Sequence, residues 1–529
     1  MRRWNGWGDD TFDYPLPDSA RRFLDAALGP GHPPDDATLA DVVATVPASR
    51  LAAHPLICTA PETRLRHARG HSFPDWVALR SGDAGPYPDG VAFPESEEDV
   101  RALLDVAVET GARLIPYGGG TSVVGHVNPL PGDRPVLTVD LARLSGLSAL
   151  DEVSNLATFG AGARGPDLEA QLRAHGRTLG HFPQSFEYST LGGWIATRST
   201  GQQSLGYGRI EHLFAGGRMV APAGTLELPS NLPASAAGPN LRELVLGSEG
   251  RLGIITEATV RVSPLPEQEE FHAVFFPDFE QGRAAVREML QARLPLSMVR
   301  LSTATETETT LAMAGHELLL GGLSAYLRLR GVGEGKCMMV FGATGHNSIV
   351  DLGRREALRI ARAHDGVYGT QTFGKEWHKN RFTSPYLRNT LWDAGYGIDT
   401  LETATDWTGV ADLIPAIERA IREAMPDGER VHVFTHMSHL YPYGTSVYVQ
   451  YVFRLAETPE ATLRRWSAMK RAASETIVDY GATISHQHGV GVDHKPYLAA
   501  EKSALGMETL RAAVETFDPD GLMNPGKLL

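Results

Sequence analysis

The sequence predicts an α+β protein with two main domains, and three patterns along the chain favour this fold class. A strand, a helix and a second strand within residues 86–117 run directly into a glycine-rich loop. Residues 429–455 alternate apolar and polar side chains and are rich in aromatics, which is typical of long antiparallel strands. Segments with helical spacing of apolar residues accompany both regions, so we expect the second region to be a large antiparallel sheet flanked by helices.

Composition limits the class of protein. The 529-residue chain is 42% hydrophobic and 21% charged, as is ordinary for a globular protein. Its net charge of −14 argues against a nucleic-acid partner, because binding a phosphate backbone needs a basic surface. A small anionic substrate is still compatible with this charge, since a few arginines can hold one phosphate.

Cys58 and Cys337 indicate neither a disulfide framework nor a metal cluster. No signal peptide and no run of about 18 apolar residues are evident, so we expect a cytoplasmic protein.

Changes in pattern divide the chain into four regions. Short helical pieces broken by proline and glycine come first, followed by a segment of mixed strands and helices. Within that segment, one helix is expected to begin at Ser96 or Glu97 and to end at Gly111. The expected boundaries are 1–85 for the N-terminal helical region, 86–265 for the first domain, 266–470 for the second domain and 471–529 for a C-terminal helical segment.

The glycine-rich loop Gly118–Ser122 follows the strand RLIPY directly. Three glycines allow positive φ angles, so successive backbone N–H groups can point into one concavity and bind an anion without basic side chains. A tight structural turn would explain the same residues. The loop has neither the lysine of a P-loop nor the G-x-G-x-x-G spacing of the dinucleotide fingerprint. If it binds an anion, it is an anion loop of another kind.

Three further segments follow this loop in order, at residues 183–201, 206–208 and 246–256. Together with the loop, they resemble the FAD-binding domain of the vanillyl-alcohol oxidase type, also called PCMH-type. The resemblance implies an FAD-binding domain of two subdomains that holds FAD non-covalently. His126, just after the loop, is then expected to be structural and not a covalent flavin link. The implied cofactor-binding residues are Pro116, Tyr117, Gly118, Gly119, Gly120, Thr121, Ser122, Val123, Gln184, Ser185, Ser189, Thr190, Gly193, Thr197, Ser199, Glu249, Gly250, Gly253, Ile254 and Ile255.

The resemblance extends to nearly everything after residue 86. The segments PYGGGTSVVG, FPQSFEYSTLGGWIATRSTG, GSEGRLGIITEATVRV, FPDFEQG, LETATDW and ISHQHGVG are similar to the alkyl-dihydroxyacetonephosphate synthase family, in its bacterial branch. Eukaryotic members make the ether bond of ether lipids. They exchange the acyl group of acyl-dihydroxyacetone phosphate for a fatty alcohol, through an adduct at flavin N5 and without net redox change. This implies a phosphorylated lipid substrate, a cap domain over 266–470, a C-terminal segment that completes the active site and returns to the FAD domain, and a homodimer.

Three residues of the second domain carry implied roles. Tyr448, in TSVYVQY, aligns with an active-site tyrosine that could act as a general acid or base if its pKa were lowered. Arg388, in SPYLRNTL, aligns with a substrate-binding arginine, and a guanidinium group suits a phosphate. Arg300, in MVRLS, aligns with an arginine important for activity. From the residues alone, the tyrosine could equally pack in a sheet, and each arginine could be a surface or ion-paired group.

The motif SHQHGVG supplies two candidate catalytic histidines. His486 and His488 match two of a histidine trio, and Gln487 stands where the family has the middle histidine, which leaves the substrate identity open. An i, i+2 pair on a strand points both rings to one side. We expect His488 to deprotonate the alcohol. Two metal ligands are the alternative, but no third ligand stands at a recognisable spacing, so no metal is expected. His436 and His439 could shape or cap the cavity.

Residues 317–329, ELLLGGLSAYLRL, form an apolar segment with two internal glycines. A buried helix is one interpretation. The other is a helix that lines an acyl-chain tunnel or rests on a membrane surface. In the second case, the protein would contact the membrane peripherally.

Two other functions stay compatible with this sequence. One is an FAD-linked oxidase or dehydrogenase of a hydroxy acid or another alcohol, because a fold does not determine a reaction. The other is a flavin-binding protein with a structural or regulatory role.

Overall fold

The computed structural model describes residues 1–12, 14–313, 317–426 and 428–529, with side chains from residue 321 onward in the helix that begins at 317. The N-terminal segment turns back on itself, and Arg2 pairs with Asp9 in an antiparallel bridge. The helices that follow are α1 (Asp18–Leu28), α2 (Leu39–Ala44), α3 (Pro61–Arg66) and α4 (Phe73–Ser81).

A small mixed sheet contains the strand that leads into the glycine loop. Its order is β1-β2-β4-β3, with the last three strands parallel. Helix α5 (Glu97–Thr110) begins after a Ser96 capping box and ends at Gly111, whose φ is +68°. The predicted start and stop are confirmed, because both ends satisfy backbone groups that the helix leaves unpaired. The strands are β1 (Ile57–Cys58), β2 (Gly90–Ala92), β3 (Arg113–Tyr117) and β4 (Val136–Asp140).

An antiparallel sheet of order β5-β6-β10-β8-β9 continues the same half of the molecule. Apolar residues of this sheet, of α5 and of α7 share one hydrophobic core. The strands are β5 (Leu147–Asp151), β6 (Leu156–Gly160), β8 (Phe214–Ala221), β9 (Gly224–Leu228) and β10 (Ile254–Arg261), with β7 (Arg177–Thr178) paired to β11 (Ser263–Pro264). The helices are α6 (Gly165–Arg173), α7 (Leu191–Thr197), α8 (Ser204–Tyr207), α9 (Ile210–Leu213) and α10 (Arg242–Val245).

A large antiparallel sheet forms the second half, which confirms the prediction from the alternating aromatic segments. Its order is β15-β12-β14-β13-β17-β19-β16, and β18 pairs with β19. Helices pack on it around a second core rich in Phe, Val and Met. The strands are β12 (Gln268–Phe276), β13 (Met298–Ser302), β14 (Cys337–Gly345), β15 (Val367–Thr370), β16 (Tyr396–Asp406), β17 (Val431–Met437), β18 (Leu440–Tyr441) and β19 (Gly444–Arg454).

The helices of this second half lie between and after its strands. They are α11 (Phe279–Gln291), α12 (Ala304–Met313), α13 (Glu317–Leu329), α14 (Asn347–Ala363), α15 (Gln371–Asn380), α16 (Leu387–Asp393), α17 (Val410–Ala424), α18 (Pro459–Asp479) and α19 (Leu498–Phe517). Short 3₁₀ turns precede α16 and α19, at Ser384–Tyr386 and Lys495–Tyr497.

The C-terminal segment runs back to the first half of the molecule. Leu114 N–H donates to the Leu522 carbonyl (2.8 Å), and Asn524 N–H donates to the Leu114 carbonyl (2.7 Å), so the segment pairs with strand β3. The Asn524 side-chain amide donates to the carbonyls of His126 and Glu249. The chain end is therefore packed directly behind the glycine loop.

Helix α13 forms despite Gly321 and Gly322, but the buried-helix interpretation is wrong for its described side chains. Leu327 is fully buried, whereas Tyr326 is 40% and Leu329 is 87% exposed. The helix thus packs against the protein through Leu327, and its exposed side carries apolar residues together with Arg328 and, just after the helix, Arg330. Among the described helices, none combines the length and apolar character needed to traverse a bilayer.

Candidate active site

A cavity opens where the glycine loop faces the large antiparallel sheet. Residues of the loop 116–123 form one wall, and side chains of β16 and β19 form the opposite one. The cavity thus lies at the junction of the two halves of the chain, a common location for small-molecule sites.

The glycine loop presents backbone donors that the protein does not use. Among the described residues, the N–H groups of Gly118, Gly119, Gly120, Thr121 and Ser122 meet no protein acceptor, although all these residues line the cavity. A row of free N–H groups in a concave turn binds anionic oxygens well. The loop therefore fits a pyrophosphate, and the simple structural turn is the weaker explanation.

The loop needs glycine because neighbouring backbone lies against it. A Cβ at Gly119 would lie 1.8 Å from the Tyr188 carbonyl oxygen, and one at Gly118 would lie 2.2 Å from Thr190 Oγ1. Gly120 adopts a φ of +65°. The segment 188–190 is thereby held against the loop, and Thr190 caps helix α7 at the cavity wall.

The structure brings almost all of the predicted cofactor residues to this cavity. Ile254 is the exception: it is fully buried in the hydrophobic core, whereas its neighbour Ile255 lines the cavity, because successive side chains of a strand point to opposite faces. The lining residues are Pro116, Tyr117, Gly118, Gly119, Gly120, Thr121, Ser122, Val123, Gln184, Ser185, Ser189, Thr190, Gly193, Thr197, Ser199, Glu249, Gly250, Gly253 and Ile255.

Glu249 lines the cavity, but its carboxylate is engaged with protein. Its oxygens accept from the N–H groups of Val490 (2.5 Å) and Gly491 (2.8 Å). His126 Nε2 lies 3.2 Å from the same carboxylate, and its Nδ1 lies 2.8 Å from Ser122 Oγ. Both ring nitrogens of His126 therefore face protein groups, as a structural histidine requires.

Arg388 lies in the cavity wall over an aromatic ring. Its guanidinium carbon is 4.4 Å from the centre of the Trp76 ring, and Nη1 donates to the His71 carbonyl oxygen (2.8 Å). Burial lowers the pKa of Arg388, and Asp399 opposes this shift. The stacking fixes the plane of the guanidinium and leaves its other donors for an anion in the cavity.

Tyr448 lies on β19 between two buried polar side chains of the neighbouring strands. The register pairs it with His436 of β17 and with Glu402 of β16, so all three side chains share one face of the sheet. Burial raises the pKa of Tyr448 to about 12. The condition of a lowered pKa is therefore not met, and the phenol is protonated at neutral pH and can donate a proton.

Arg300 does not line the cavity. It pairs with Glu306, a buried carboxylate that also accepts from His436 Nδ1 at 2.9 Å. The His436 ring stacks on Tyr448, with ring centres 4.9 Å apart. Arg300 thus reaches the tyrosine through His436, which it contacts directly at 3.2 Å and also through Glu306.

The two histidines of SHQHGVG occupy different environments. The expectation of a strand is wrong, because residues 484–491 form an irregular loop. His488 lines the cavity and its ring meets Tyr448 edge-on at 5.9 Å, whereas His486 is turned away from the cavity. We call residues 484–491 the histidine loop.

His486 is held by protein groups on both sides of its ring. Nε2 lies 2.7 Å from Tyr441 Oη and 2.9 Å from Arg209 Nη1, so it accepts from both. Nδ1 lies 3.1 Å from Glu402 Oε1. Because Nε2 is an acceptor, Nδ1 carries a proton, and this nitrogen is the one next to the carboxylate.

Glu402, His439 and His486 converge closely enough to suggest a cation site. The ring geometry argues against it. The two imidazoles stack with an angle of 18° and centres 5.2 Å apart, so a cation in the plane of one ring would lie outside the plane of the other. The Nδ1 proton of His486 and the nearby Arg209 cation also disfavour a metal.

The N-terminal segment also contributes to the cavity, which the sequence did not predict. Trp7 lines the cavity, and its backbone N–H and C=O are bound by the side chain of Asn389, next to Arg388. Arg2 donates to the Gly119 carbonyl (2.6 Å). The aromatic and glycine-rich run RWNGWG, residues 3–8, is the sequence feature that could have indicated this contribution. Its partner Asn389, however, lies 382 residues farther along the chain.

Comparison with known proteins agrees with this architecture. The family described as "FAD linked oxidases, C-terminal domain" matches residues 265–528, and the "FAD binding domain" family matches residues 88–228. The fold and the site thus define an FAD-binding flavoprotein of the FAD-linked oxidase class. A p-cresol methylhydroxylase structure shares the fold, with a TM-score of 0.68 at 12% identity over 94% of this chain and 98% of that one.

Closer relatives name one family. Alkyldihydroxyacetonephosphate synthase of Dictyostelium discoideum is 32% identical over 474 residues, which cover 88% of this chain and 77% of the relative. The Trypanosoma brucei brucei synthase is 29% identical over the same shares. A solved structure of an alkyldihydroxyacetonephosphate synthase has a TM-score of 0.84 at 27% identity, covering 99% of this chain and 98% of that one. The chain belongs to the alkyldihydroxyacetonephosphate synthase family.

Gly119→Ala is expected to yield a folded protein without flavin. The new Cβ would lie 1.8 Å from the Tyr188 carbonyl oxygen, so the loop must move and its N–H groups would no longer converge. Visible absorbance measures bound flavin, and circular dichroism measures folding. Gly146→Ala is the control, because a Cβ there meets nothing within 4 Å. A Gly119→Ala protein as yellow as the parent would contradict the assignment of the loop.

Proposed function

We propose that this protein exchanges the acyl group of acyl-dihydroxyacetone phosphate for a fatty alcohol, the reaction for which its relatives are named. The observation that carries the proposal is that Arg388, Tyr448 and His488 line the same cavity as the unpaired N–H groups of the glycine loop. This places a phosphate-binding cation, a proton donor and a neutral base around one space.

FAD is held non-covalently in this proposal. The loop 116–123 binds its pyrophosphate, and the segments 184–199 and 249–255 contact the rest of the molecule. When bound, the flavin supplies covalent chemistry at the substrate carbon without net electron transfer. His126 keeps a structural role, because both of its ring nitrogens already face Ser122 and Glu249.

Arg388 binds the substrate phosphate. Trp76 holds the plane of its guanidinium, and the His71 carbonyl takes one of its donors. The remaining donors can form the paired hydrogen bonds that a guanidinium makes with phosphate oxygens. Desolvation in the cavity wall lowers the pKa of Arg388, so an anion bound next to the guanidinium would stabilise its positive charge.

Tyr448 and His488 handle protons. The protonated phenol of Tyr448 can donate to an oxygen of the substrate, since burial keeps its pKa near 12. Burial lowers the pKa of His488, so the imidazole is neutral and can accept the proton of the fatty alcohol. Arg300 and His486, both turned away from the cavity, support these groups from behind through His436 and Glu402.

Helix α13 is proposed to contact a membrane surface, from which a lipid substrate would be taken. Its exposed apolar residues Tyr326 and Leu329 lie close to Arg328 and Arg330, a pattern suited to an anionic lipid interface. Co-sedimentation with vesicles of anionic phospholipid should fall for Tyr326→Ser/Leu329→Ser. Equal binding of the parent and the variant would contradict this proposal.

A cytoplasmic location and a homodimer stay predictions. Light scattering of the purified protein tests whether it is a homodimer.

The purified protein is expected to convert palmitoyl-dihydroxyacetone phosphate and hexadecanol to the alkyl product with release of palmitate. Mass spectrometry of the lipid products and bleaching of the flavin by the acyl substrate are the measurements. An absence of both, together with anaerobic reduction of the flavin by 2-hydroxy acids, would favour an FAD-linked dehydrogenase instead. Bound flavin with no response to either substrate class would favour a structural role.

Arg388→Ala is expected to raise KM for the acyl substrate roughly 10- to 100-fold, because a hydrogen bond to a charged group contributes about 1.5–3 kcal/mol. The flavin content should be unchanged. Arg359→Ala, an exposed arginine of α14, serves as the control. A KM equal to that of the parent would show that the phosphate binds elsewhere.

The pH dependence should report His488 as the base. Its lowered pKa means that the active, neutral form is lost only as pH falls through a value below 6.5, so the acid limb of kcat/KM for hexadecanol should lie below pH 6.5. An acid limb above that value would contradict the assignment. The charged and titratable groups that influence this ring are Glu402 and Asp399 of β16, Lys470 of α18 and His486 of the same loop.

A further inference from the structure

Glu402 of the large sheet binds the histidine loop at two consecutive residues, His486 and Gln487. His486 N–H donates to the Glu402 backbone carbonyl (3.0 Å), and His486 Nδ1 lies 3.1 Å from Oε1. The Gln487 side-chain amide donates to the other oxygen, Oε2, at 2.5 Å. One buried carboxylate thus binds two consecutive side chains of the loop, just before His488.

His488 itself has no such attachment. Neither of its ring nitrogens has a hydrogen-bond partner among the residues that the structure describes, and the ring faces the cavity. On its far side, Gly489 has a φ of +78°, and a Cβ there would lie within 3 Å of both His126 and Glu249. The position of the His488 ring therefore depends on how its two neighbours are held.

Charge strengthens this attachment. Glu402 is 1% exposed, and its pKa is held well below the usual range by His486 and other nearby groups, against the effect of burial. Hydrogen bonds to an ionised acceptor are stronger than neutral ones, and a buried carboxylate that lost them would be costly. Replacement of Gln487 by a group without a donor would leave Oε2 unpaired.

We propose that Glu402 is a positioning residue for His488: through Gln487 and His486 it fixes the histidine loop so that the imidazole of His488 faces Tyr448 across the cavity. This inference rests on the proposed function, because it takes His488 as the base for the alcohol. It also assigns a role to Gln487, as the neutral amide donor that satisfies Glu402.

Gln487→Glu is the decisive variant, because it sets a second carboxylate against Glu402 with little change in size. We expect kcat for ether formation to fall roughly 10- to 100-fold, since a displacement of about 1 Å can cost that much. KM for the acyl substrate should stay within about twofold, because Arg388 is untouched. A general loss of folding would instead change KM, flavin content and thermal stability together.

Two rescue variants separate positioning from simple damage. The reciprocal exchange Glu402→Gln/Gln487→Glu again places one amide opposite one carboxylate and should recover most of kcat. Gln487→His keeps an N–H donor and should remain within about threefold of the parent. Glu169→Gln is the matched control, because Glu169 is a buried carboxylate that binds Thr178, Leu179 and Gly180, none of which lines the cavity.

Unchanged kcat in Gln487→Glu, or an exchange variant as slow as Gln487→Glu, would overturn the inference. If the parent protein itself forms no ether product, the proposed function fails instead. The inference is then decided without activity, by crystal structures of Gln487→Glu and of the exchange variant. A displaced His488 ring in the first and a restored one in the second would support it, and an unmoved ring in both would refute it.

Discussion

The central physical constraint of this structure is that two buried carboxylates hold one irregular loop between the two halves of the chain. Glu249 binds the loop at Val490 and Gly491 from the flavin side, and Glu402 binds it at His486 and Gln487 from the sheet. An irregular backbone in a buried place must have its polar groups satisfied. The Glu249 carboxylate accepts from the N–H groups of Val490 and Gly491, and the Glu402 backbone carbonyl accepts from the N–H group of His486. These bonds join the loop to both halves at the edge of the cavity that the glycine loop and the wall of β16 and β19 share.

Burial sets the protonation states within that cavity. It raises the pKa of Tyr448, lowers that of His488 and lowers that of Arg388, so the first two groups are neutral at physiological pH. A protonated phenol opposite a neutral imidazole is a suitable pair for moving one proton without a net charge change. Arg388 is then the cation that faces an anionic substrate, with its plane fixed by Trp76.

Local patterns predicted much of the fold because they act over short distances. The capping box at Ser96 is satisfied by Asp99 within the same turn, and the strands RLIPY and β19 are indicated by the residue types of their own segments, although their pairing partners lie farther along the chain. Resemblance to known flavoproteins extended the prediction from the fold to the site. The structure places all but one of the predicted cofactor-binding residues around one cavity. The failures were positions where distant packing decides, such as the histidine loop, the exposed helix α13 and Ile254, which faces the core on a strand whose next residue faces the cavity.

By itself, the sequence determined the fold class, the glycine loop and its suitability for a pyrophosphate, because strand alternation, helix ends and glycine conformations are properties of short segments. Only the tertiary structure decided which polar groups meet. It placed Trp7 in the same cavity as Arg388 and turned His486 away from that cavity. It also joined Glu402 to Gln487, in a loop more than 80 residues later. Such contacts depend on how two separate hydrophobic cores are aligned, and no local pattern records that alignment.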